Sequence, residues 1–383
     1  MSAREDDKQK PVVAIFRSAV FNASERFIQD QAAALIRWRP LVVGLERKGE
    51  LLPPLREGMI VAESAVERLA FRLRGRGGRI EAQLRAVRPA LLHAHFGTDG
   101  LLVLPLARAL GVPLITSLRG YDVSRSDGAL LRSGRLSWMR YALGKKRLQH
   151  GGALFLAVSA ALRDQAIARG YPEARTLTHY NGVDLDRFRP NETPTEPGLI
   201  LHVGRLVEKK GTKVLIDALA RIAGAKLAII GEGPLRKTLE RQARELGERV
   251  CFLGELPADD VARWMRRASV LAAPSLTAVD GDAEGLPNVV VEAAASGLPV
   301  VGTRHSGIPE AIEEGVTGFL VPEGDAEALA ARLAEVLTSE SLRRDMGAAA
   351  RRLAERKFSG QMLTERLESI YDEVAGFNRQ APA

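Results

Sequence analysis

The chain has 383 residues, 46% hydrophobic, 27% charged and only 5% aromatic, a balance that fits a globular protein of two domains and excludes a wholly disordered one. Its apolar runs break well short of the ~20 residues of a membrane span, the polar start from Met1 to Lys10 lacks a secretory-signal pattern, and the single Cys251 excludes an intramolecular disulfide framework or a Cys-based metal cluster. The net charge of +8 is uneven: residues 1–190 carry 31 Lys+Arg against 18 Asp+Glu, and the remainder 24 against 29. A cytoplasmic enzyme is the expectation.

Strand and helix patterns alternate from the start. Val12–Phe16 is a short apolar run, Phe27–Trp38 has helical spacing, and Leu41–Leu45 is a second strand candidate. Leu91–His95, Pro113–Ser117 and Ala153–Val158 follow, with helical stretches at Leu101–Leu110 and Ala160–Arg169. Each strand is nearly all apolar, as expected when helices cover both faces of a parallel sheet. Arg189–Gly198 is rich in Pro and polar residues and reads as a linker. The alternation then restarts with strands at Leu199–Val203, Lys226–Ile230, Val250–Leu253, Val270–Ala273 and Pro299–Gly302. Helices are expected between them, then at Ala326–Val336, Leu342–Arg356 and Met362–Val374. The pattern predicts two doubly wound α/β units: residues 1–190, residues 191–357, and a C-terminal helix, 358–383, returning to the first domain.

Three segments carry chemistry. In Glu284-Gly285-Leu286-Pro287-Asn288-Val289-Val290-Val291-Glu292, two glutamates flank seven residues, and Pro287 suits the first turn of the apolar helix that follows. A helix start offers free N–H groups and a positive dipole end, which favour a phosphate. Glu292 then lies about 7 Å further along the axis at ~1.5 Å per residue, within range of a ribose. Glu284 can reach the sugar beyond the phosphates, although acids near a helix start are also ordinary solvent-facing groups. In the second segment, a strand ends at Gly204 and two cations follow, Arg205 and Lys210. Ligands of open α/β sheets bind at the carboxyl ends of strands, so this pair could stabilise a departing diphosphate; a solvated loop is the plain alternative. Gly231-Glu232-Gly233-Pro234 makes a third strand-to-helix turn with close backbone access. Asp280-Gly281-Asp282 has a metal-like spacing, but no metal site is expected.

Together these residues resemble glycosyltransferase family 4, retaining enzymes of the GT-B fold, over most of residues 90–325. The likeness rests on the paired glutamates, Gly204-Arg205-Leu206 with Lys209-Lys210-Gly211, the Gly-Glu-Gly-Pro turn, Tyr180-Asn181-Gly182-Val183-Asp184, and Gly307-Ile308-Pro309-Glu310. It implies two Rossmann-like domains facing across a cleft, the first binding acceptor and the second a nucleoside-diphosphate sugar. It assigns Glu292 to the donor ribose, Glu284 to the transferred sugar, and Arg205 with Lys210 to the diphosphate. Gly204 and Gly233, and backbone groups of Gly285, Leu286, Pro287, Asn288 and Val289, would meet the donor.

In the first half, Ser24-Glu25-Arg26-Phe27-Ile28 falls where the family shapes its acceptor site, which implies acceptor contacts for Glu25, Arg119 and Asp122. His93-Ala94-His95-Phe96-Gly97 resembles relatives that build extracellular polysaccharides, and His95 is a candidate to position the sugar or a structural histidine. In Thr116-Ser117-Leu118-Arg119-Gly120-Tyr121-Asp122 the family often has histidine where Arg119 stands. A guanidinium stays charged and shuttles no proton, so Arg119 could hold a sugar hydroxyl or an anionic acceptor. The resemblance implies retaining, metal-independent hexosyl transfer with no cofactor, to a glycan or lipid-linked acceptor in polysaccharide or envelope synthesis. Absence of base-reading motifs removes nucleic acid from the expected partners. The arginine-rich stretches 68–88 and 125–147 suggest an anionic membrane surface, at the inner face of the cytoplasmic membrane. A non-catalytic sugar-nucleotide-binding protein, a GT-B epimerase and a glycogen-type phosphorylase are the alternatives.

Overall fold

The computed structural model describes residues 9–20, 25–56, 59–190 and 196–376. They form two compact units, one within residues 9–182 and 360–376 and the other within residues 183–359. The expected boundary at 190/191 moves forward because residues 183–190 pack in the second unit. Val183 pairs with Ser359, Phe188 is buried, and Arg351 Nη1 donates to the carbonyls of Leu185 and Phe188. Ser24 and the linker core, 191–195, lie outside the described residues.

The first unit holds a seven-stranded parallel sheet: β1 (Val12–Val20), β2 (Arg39–Arg47), β3 (Ile60–Val61), β4 (Leu91–His95), β5 (Leu114–Leu118), β6 (Leu154–Ala157) and β7 (Thr176–Thr178), in the order β3-β2-β1-β4-β5-β6-β7. Strand periodicity explains its two cores. Ala14, Phe16, Leu92 and Ala94 enter one cluster, while Val13, Ile15 and Leu91 enter another on the opposite face. The helices used below are α1 (Arg26–Ala33), α2 (Ala65–Arg74), α3 (Gly97–Leu110) and α4 (Leu136–Gly151). α1 stops short of the expected Trp38, because the chain must turn before β2, and buried Trp38 packs edge-on against Tyr371 instead.

The second unit is a six-stranded parallel sheet: β8 (Leu199–Val203), β9 (Lys226–Ile230), β10 (Val250–Gly254), β11 (Val270–Ala273), β12 (Val300–Thr303) and β13 (Gly318–Val321), ordered β10-β9-β8-β11-β12-β13. Helix α5 (Asn288–Ala295) joins β11 to β12. The last helix, α6 (Gly360–Val374), belongs to the first unit, where Leu367, Ile370 and Tyr371 complete the cluster around Val13 and Ile15. Buried Glu368 fixes its register by accepting the N–H groups of Ile36, Arg37 and Trp38 at 2.8, 2.6 and 3.1 Å. In both sheets the strand order reverses direction once, between β1 and β4 and between β8 and β11. Those switch points are where a doubly wound sheet opens a crevice at the carboxyl ends of its strands.

Candidate active site

At the first switch point, β4 ends in a strained turn. Phe96 has φ 72°, a region that bulky residues rarely adopt and that concentrates at functional sites. A Cβ on Gly97 would lie 2.5 Å from the Tyr141 hydroxyl, so only glycine fits there. The buried Asp122 carboxylate holds the turn, accepting the N–H groups of Gly97 at 2.8 Å, Gly120 at 2.9 Å and Arg119 at 3.0 Å. Burial raises its pKa and these three donors oppose the rise. Asp122 therefore positions the loop. Asp122→Asn exchanges one acceptor oxygen for an amide that faces an N–H group, and stability should fall by about 2–3 kcal/mol, read as a lower urea midpoint.

Arg119 leaves this loop and is held on three sides. Its Nη1 donates to Asn181 Oδ1 at 2.6 Å, its Nη2 donates to His95 Nδ1 at 2.8 Å, and its guanidinium lies 4.5 Å from the Phe27 ring centre. Its Nε is buried without a hydrogen-bond partner among the described residues. Burial pulls the Arg119 pKa down to about 9, so the group stays charged at neutral pH. Burial, followed by the charges nearby, keeps His95 well below the ordinary histidine value. The neutral ring thus accepts through Nδ1. His93 stacks on His95 with centroids 4.5 Å apart and bridges Tyr371 Oη at 2.6 Å and Ser117 Oγ at 2.8 Å.

Glu25 lies beside this set, bonded to Arg17 Nη2 at 2.6 Å, while Arg17 Nη1 meets Asp99 at 2.6 Å. Burial works against the Arg17 charge, but Asp99 and Glu25 hold its pKa above the ordinary value. The first unit thus brings Glu25, His95, Arg119 and Asp122 to one crevice. Sequence reasoning missed Arg17, Asp99 and Tyr371, and gave Asn181 no role. A lone arginine interrupting the β1 apolar run was the available signal for Arg17; Tyr371 is distant in sequence and had none.

At the second switch point, β8 and β9 run into glycine turns packed backbone to backbone. Gly231 has φ 136°, and a Cβ there would lie 2.0 Å from the Gly204 carbonyl. A Cβ on Gly233 would lie 2.4 Å from the Leu206 carbonyl. The loop after β8 delivers Lys209 and Lys210 to Glu284, whose Oε1 lies 3.5 and 3.4 Å from their ammonium groups. Those contacts are longer than tight hydrogen bonds, so Glu284 does not saturate either cation. Burial raises the Glu284 pKa, but Lys210 and Lys209 outweigh it and hold the carboxyl below its ordinary value.

Lys209 also meets Asp282 at 3.2 Å, so the Asp280-Gly281-Asp282 stretch faces a lysine. Among the described residues, no group of three or more His, Cys, Asp or Glu could hold a metal ion. His305 ties the Glu284 loop down. Its Nε2 accepts the Glu284 N–H at 3.2 Å, which puts the ring proton on Nδ1, 2.6 Å from Glu323. Gly285 accepts from the Gly307 N–H at 2.8 Å. Pro287 precedes α5, Asn288 and Val289 open it, and half-buried Glu292 lies in its second turn. Arg205 is exposed with no side-chain partner among the described residues. The second unit therefore places Gly204, Arg205, Lys210, Gly233, Glu284 to Val289 and Glu292 on loops and a helix around one strand-end crevice. Lys209, His305 and Glu323 are additions that the sequence reading gave no role.

Two family descriptions divide the chain: Glycosyltransferase Family 4 matches residues 24–187 and Glycosyl transferases group 1 matches residues 184–353. A putative colanic acid biosynthesis glycosyltransferase of Salmonella typhimurium, WcaL, is 34% identical over 73% of this chain and 70% of its own length. The chain belongs to glycosyltransferase family 4. Another relative in the family is the GDP-mannose-dependent alpha-(1-6)-phosphatidylinositol monomannoside mannosyltransferase of Mycolicibacterium smegmatis, 33% identical over 68% of this chain and 70% of that one. Among solved structures, Anabaena Alr3699/HepE in complex with UDP and glucose superposes with a TM-score of 0.78 at 20% identity, over 95% of this chain and 100% of that one. That likeness establishes the GT-B fold with its two Rossmann-like domains. The chain is thus a polysaccharide- or glycolipid-type glycosyltransferase.

Proposed function

We propose that the protein transfers a hexose from a nucleoside-diphosphate sugar to a glycan or lipid-linked acceptor, with retention of anomeric configuration and without a metal ion. The reading rests foremost on the unsaturated Lys209–Lys210–Glu284 cluster at the second switch point. The Lys210 ammonium, held loosely by Glu284, beside that of Lys209, which Glu284 shares with Asp282, suits a diphosphate that gains charge as its bond to the sugar breaks. Arg205 and the start of α5 add to that field. Glu292 accepts the ribose hydroxyls, and Glu284 meets hydroxyls of the transferred sugar. The acceptor hydroxyl attacks on the face that the diphosphate leaves. The bond to the acceptor oxygen forms as the bond to the phosphate oxygen breaks, and that phosphate oxygen takes the acceptor's proton. The neutral, buried His95 orients Arg119, and Arg119 holds a sugar hydroxyl or an acceptor anion.

Working on such acceptors places the enzyme at an anionic membrane surface on the cytoplasmic side, held by the arginines of 68–88 and 125–147. Among the described residues no helix is long and apolar enough to cross a membrane. The similar proteins point to two donor bases, UDP bound by the Anabaena protein and GDP-mannose used by the mannosyltransferase. A panel of UDP- and GDP-hexoses, with product anomers read by NMR and a chelator present, tests donor, stereochemistry and metal independence together. An inverted product, or transfer abolished by the chelator, overturns the corresponding part. Glu292→Gln should weaken donor binding, measured by calorimetry, by on the order of 1.5–3 kcal/mol, because the ribose loses an ionised acceptor.

A further inference from the structure

One face of the first unit combines exposed leucines with arginines. α2 exposes Val66, Leu69 and Leu73 at 77, 60 and 71%, at spacings of three and four that set them on one side of the helix. On α4, Leu136, Arg140, Leu143 and Arg147 repeat that spacing, and Leu136 and Leu143 are 82 and 79% exposed. The two helices are linked, since Arg140 Nη1 donates to the Arg72 carbonyl. The turn after α2 rests on α3, where a Cβ on Gly75 would come within 2.2 Å of the Leu102 carbonyl. A pocket of about 360 Å³ lies here, lined by Leu101, Leu104 and Pro105 and by Arg76, Arg108, Arg140 and Arg147.

The charges in this pocket are not balanced. Of the four arginines, only Arg76 reaches a carboxylate among the described residues, Glu81 at 3.3 Å. Burial, and then the Arg147 charge, pushes the Arg140 pKa down. Four guanidinium groups around one small volume repel each other, and a multiply charged anion relieves that cost. Their planar forks match phosphate oxygens. The leucine rim indicates the source of the anion, because large exposed apolar side chains beside cations suit a bilayer interface, with acyl chains alongside and a headgroup between.

We propose that this pocket is a socket for the phosphate of a lipid whose headgroup carries at least two charges, a phosphomonoester or a diphosphate, with Leu73 and Leu143 seated in the interface beside it. It rests on the membrane reading above and adds a named site with headgroup selectivity, which diffuse basic attraction does not supply. The test is co-sedimentation of the full chain with phosphatidylcholine vesicles containing phosphatidic acid, or enough phosphatidylglycerol to match the surface potential. The phosphatidic acid vesicles should bind more tightly. Arg108→Gln with Arg147→Gln should lower that binding roughly thirtyfold and erase the preference. An equal loss of charge at Arg68→Gln with Arg74→Gln should weaken both vesicle types alike and leave the preference intact. Transfer to a soluble acceptor should be unchanged in both double variants.

Equal binding of the two vesicle types, with equal weakening in both double variants, overturns the socket and leaves the membrane reading standing. If no vesicle binds, but inorganic pyrophosphate raises the melting temperature of the wild type more than that of the pocket double variant, the lipid source and the membrane reading are overturned in favour of a soluble phosphate. If no vesicle binds and pyrophosphate does not distinguish the proteins, socket and membrane reading both fail.

Discussion

Replacing Lys210 with alanine is expected to lower the turnover of sugar transfer by about 10²–10³-fold, the usual loss when one preorganised charge is taken from a transition state. Charge grows on the diphosphate only as the sugar bond breaks, so a cation aimed there acts mainly on turnover and less on donor affinity. Lys210 is suited to this because its 3.4 Å contact with Glu284 leaves it free to approach an anion, and its side chain is only 16% exposed, where water screens little. Lys209→Ala should cost less turnover, since Asp282 already shares that ammonium. The fold should survive Lys210→Ala, because Glu284 keeps Lys209 within 3.5 Å. Lys210→Arg retains the charge and should recover part of the rate. Single-turnover transfer, with the unfolding midpoint measured in parallel, checks both halves. Turnover within threefold of wild type in an intact Lys210→Ala protein would remove Lys210 from the diphosphate site.

Much of this was legible in the sequence because it is local. The leucine- and alanine-rich runs that became β4, β8 and β11 are four or five residues long and run into Gly97, Gly204 and Pro274, so their register with the turns set which residues reach the strand ends. The glycine turns follow β8 and β9 directly, Lys210 follows in the loop after β8, and Glu284 and Glu292 flank the start of α5, so local spacing was enough to suggest one crevice. Contacts closed by distant segments were not legible. Tyr371 meets His93 only because α6 covers the β1–β4 face, and Glu368 caps amides more than 300 positions earlier in the chain. β3 and β7, two and three residues long, are too short to show periodicity. The arginines at 68–88 and 125–147 read as a charge run, and only the packing of α2, α3 and α4 shows which of them line a pocket. The boundary was misplaced for the same reason: proline content marks where a chain bends, whereas Phe188 and Arg351 decide which unit owns the segment.

The first unit is also expected to lose stability steeply between pH 6.5 and 5.5, before ordinary carboxylates titrate. Burial holds His93 and His95 well below the ordinary histidine value, and holds His179 down at about 4. His93 faces only the Tyr371 and Ser117 hydroxyls and His179 the Leu363 carbonyl, and the charges acting on the three rings are positive, so a second proton on any of them would be buried beside like charge. Above pH 6.5 folded and unfolded chains are alike in leaving them neutral, and stability is fully present. As the pH falls below 6.5 the unfolded chain takes up protons that the folded one refuses, so stability is lost until the pH passes the folded values. Each ring contributes roughly 1.4 kcal/mol per pH unit in that window, and three together amount to about 4 kcal/mol by pH 5.5. Urea titrations at pH 7.5, 6.5 and 5.5, followed by tryptophan fluorescence, read this directly, since two of the three tryptophans, Trp38 and Trp138, lie in the first unit. His179→Gln should shallow the slope by one proton. The same protonation would set a charged His95 against Arg119, 2.8 Å from its nitrogen, and undo the contact that orients the guanidinium. Activity should therefore fall together with stability on acidification, without a separate histidine inflection near 6.5. A urea midpoint that stays flat from pH 7.5 to 5.5 would show that these rings are protonated in the folded protein, and His95 could then no longer serve as the acceptor for Arg119.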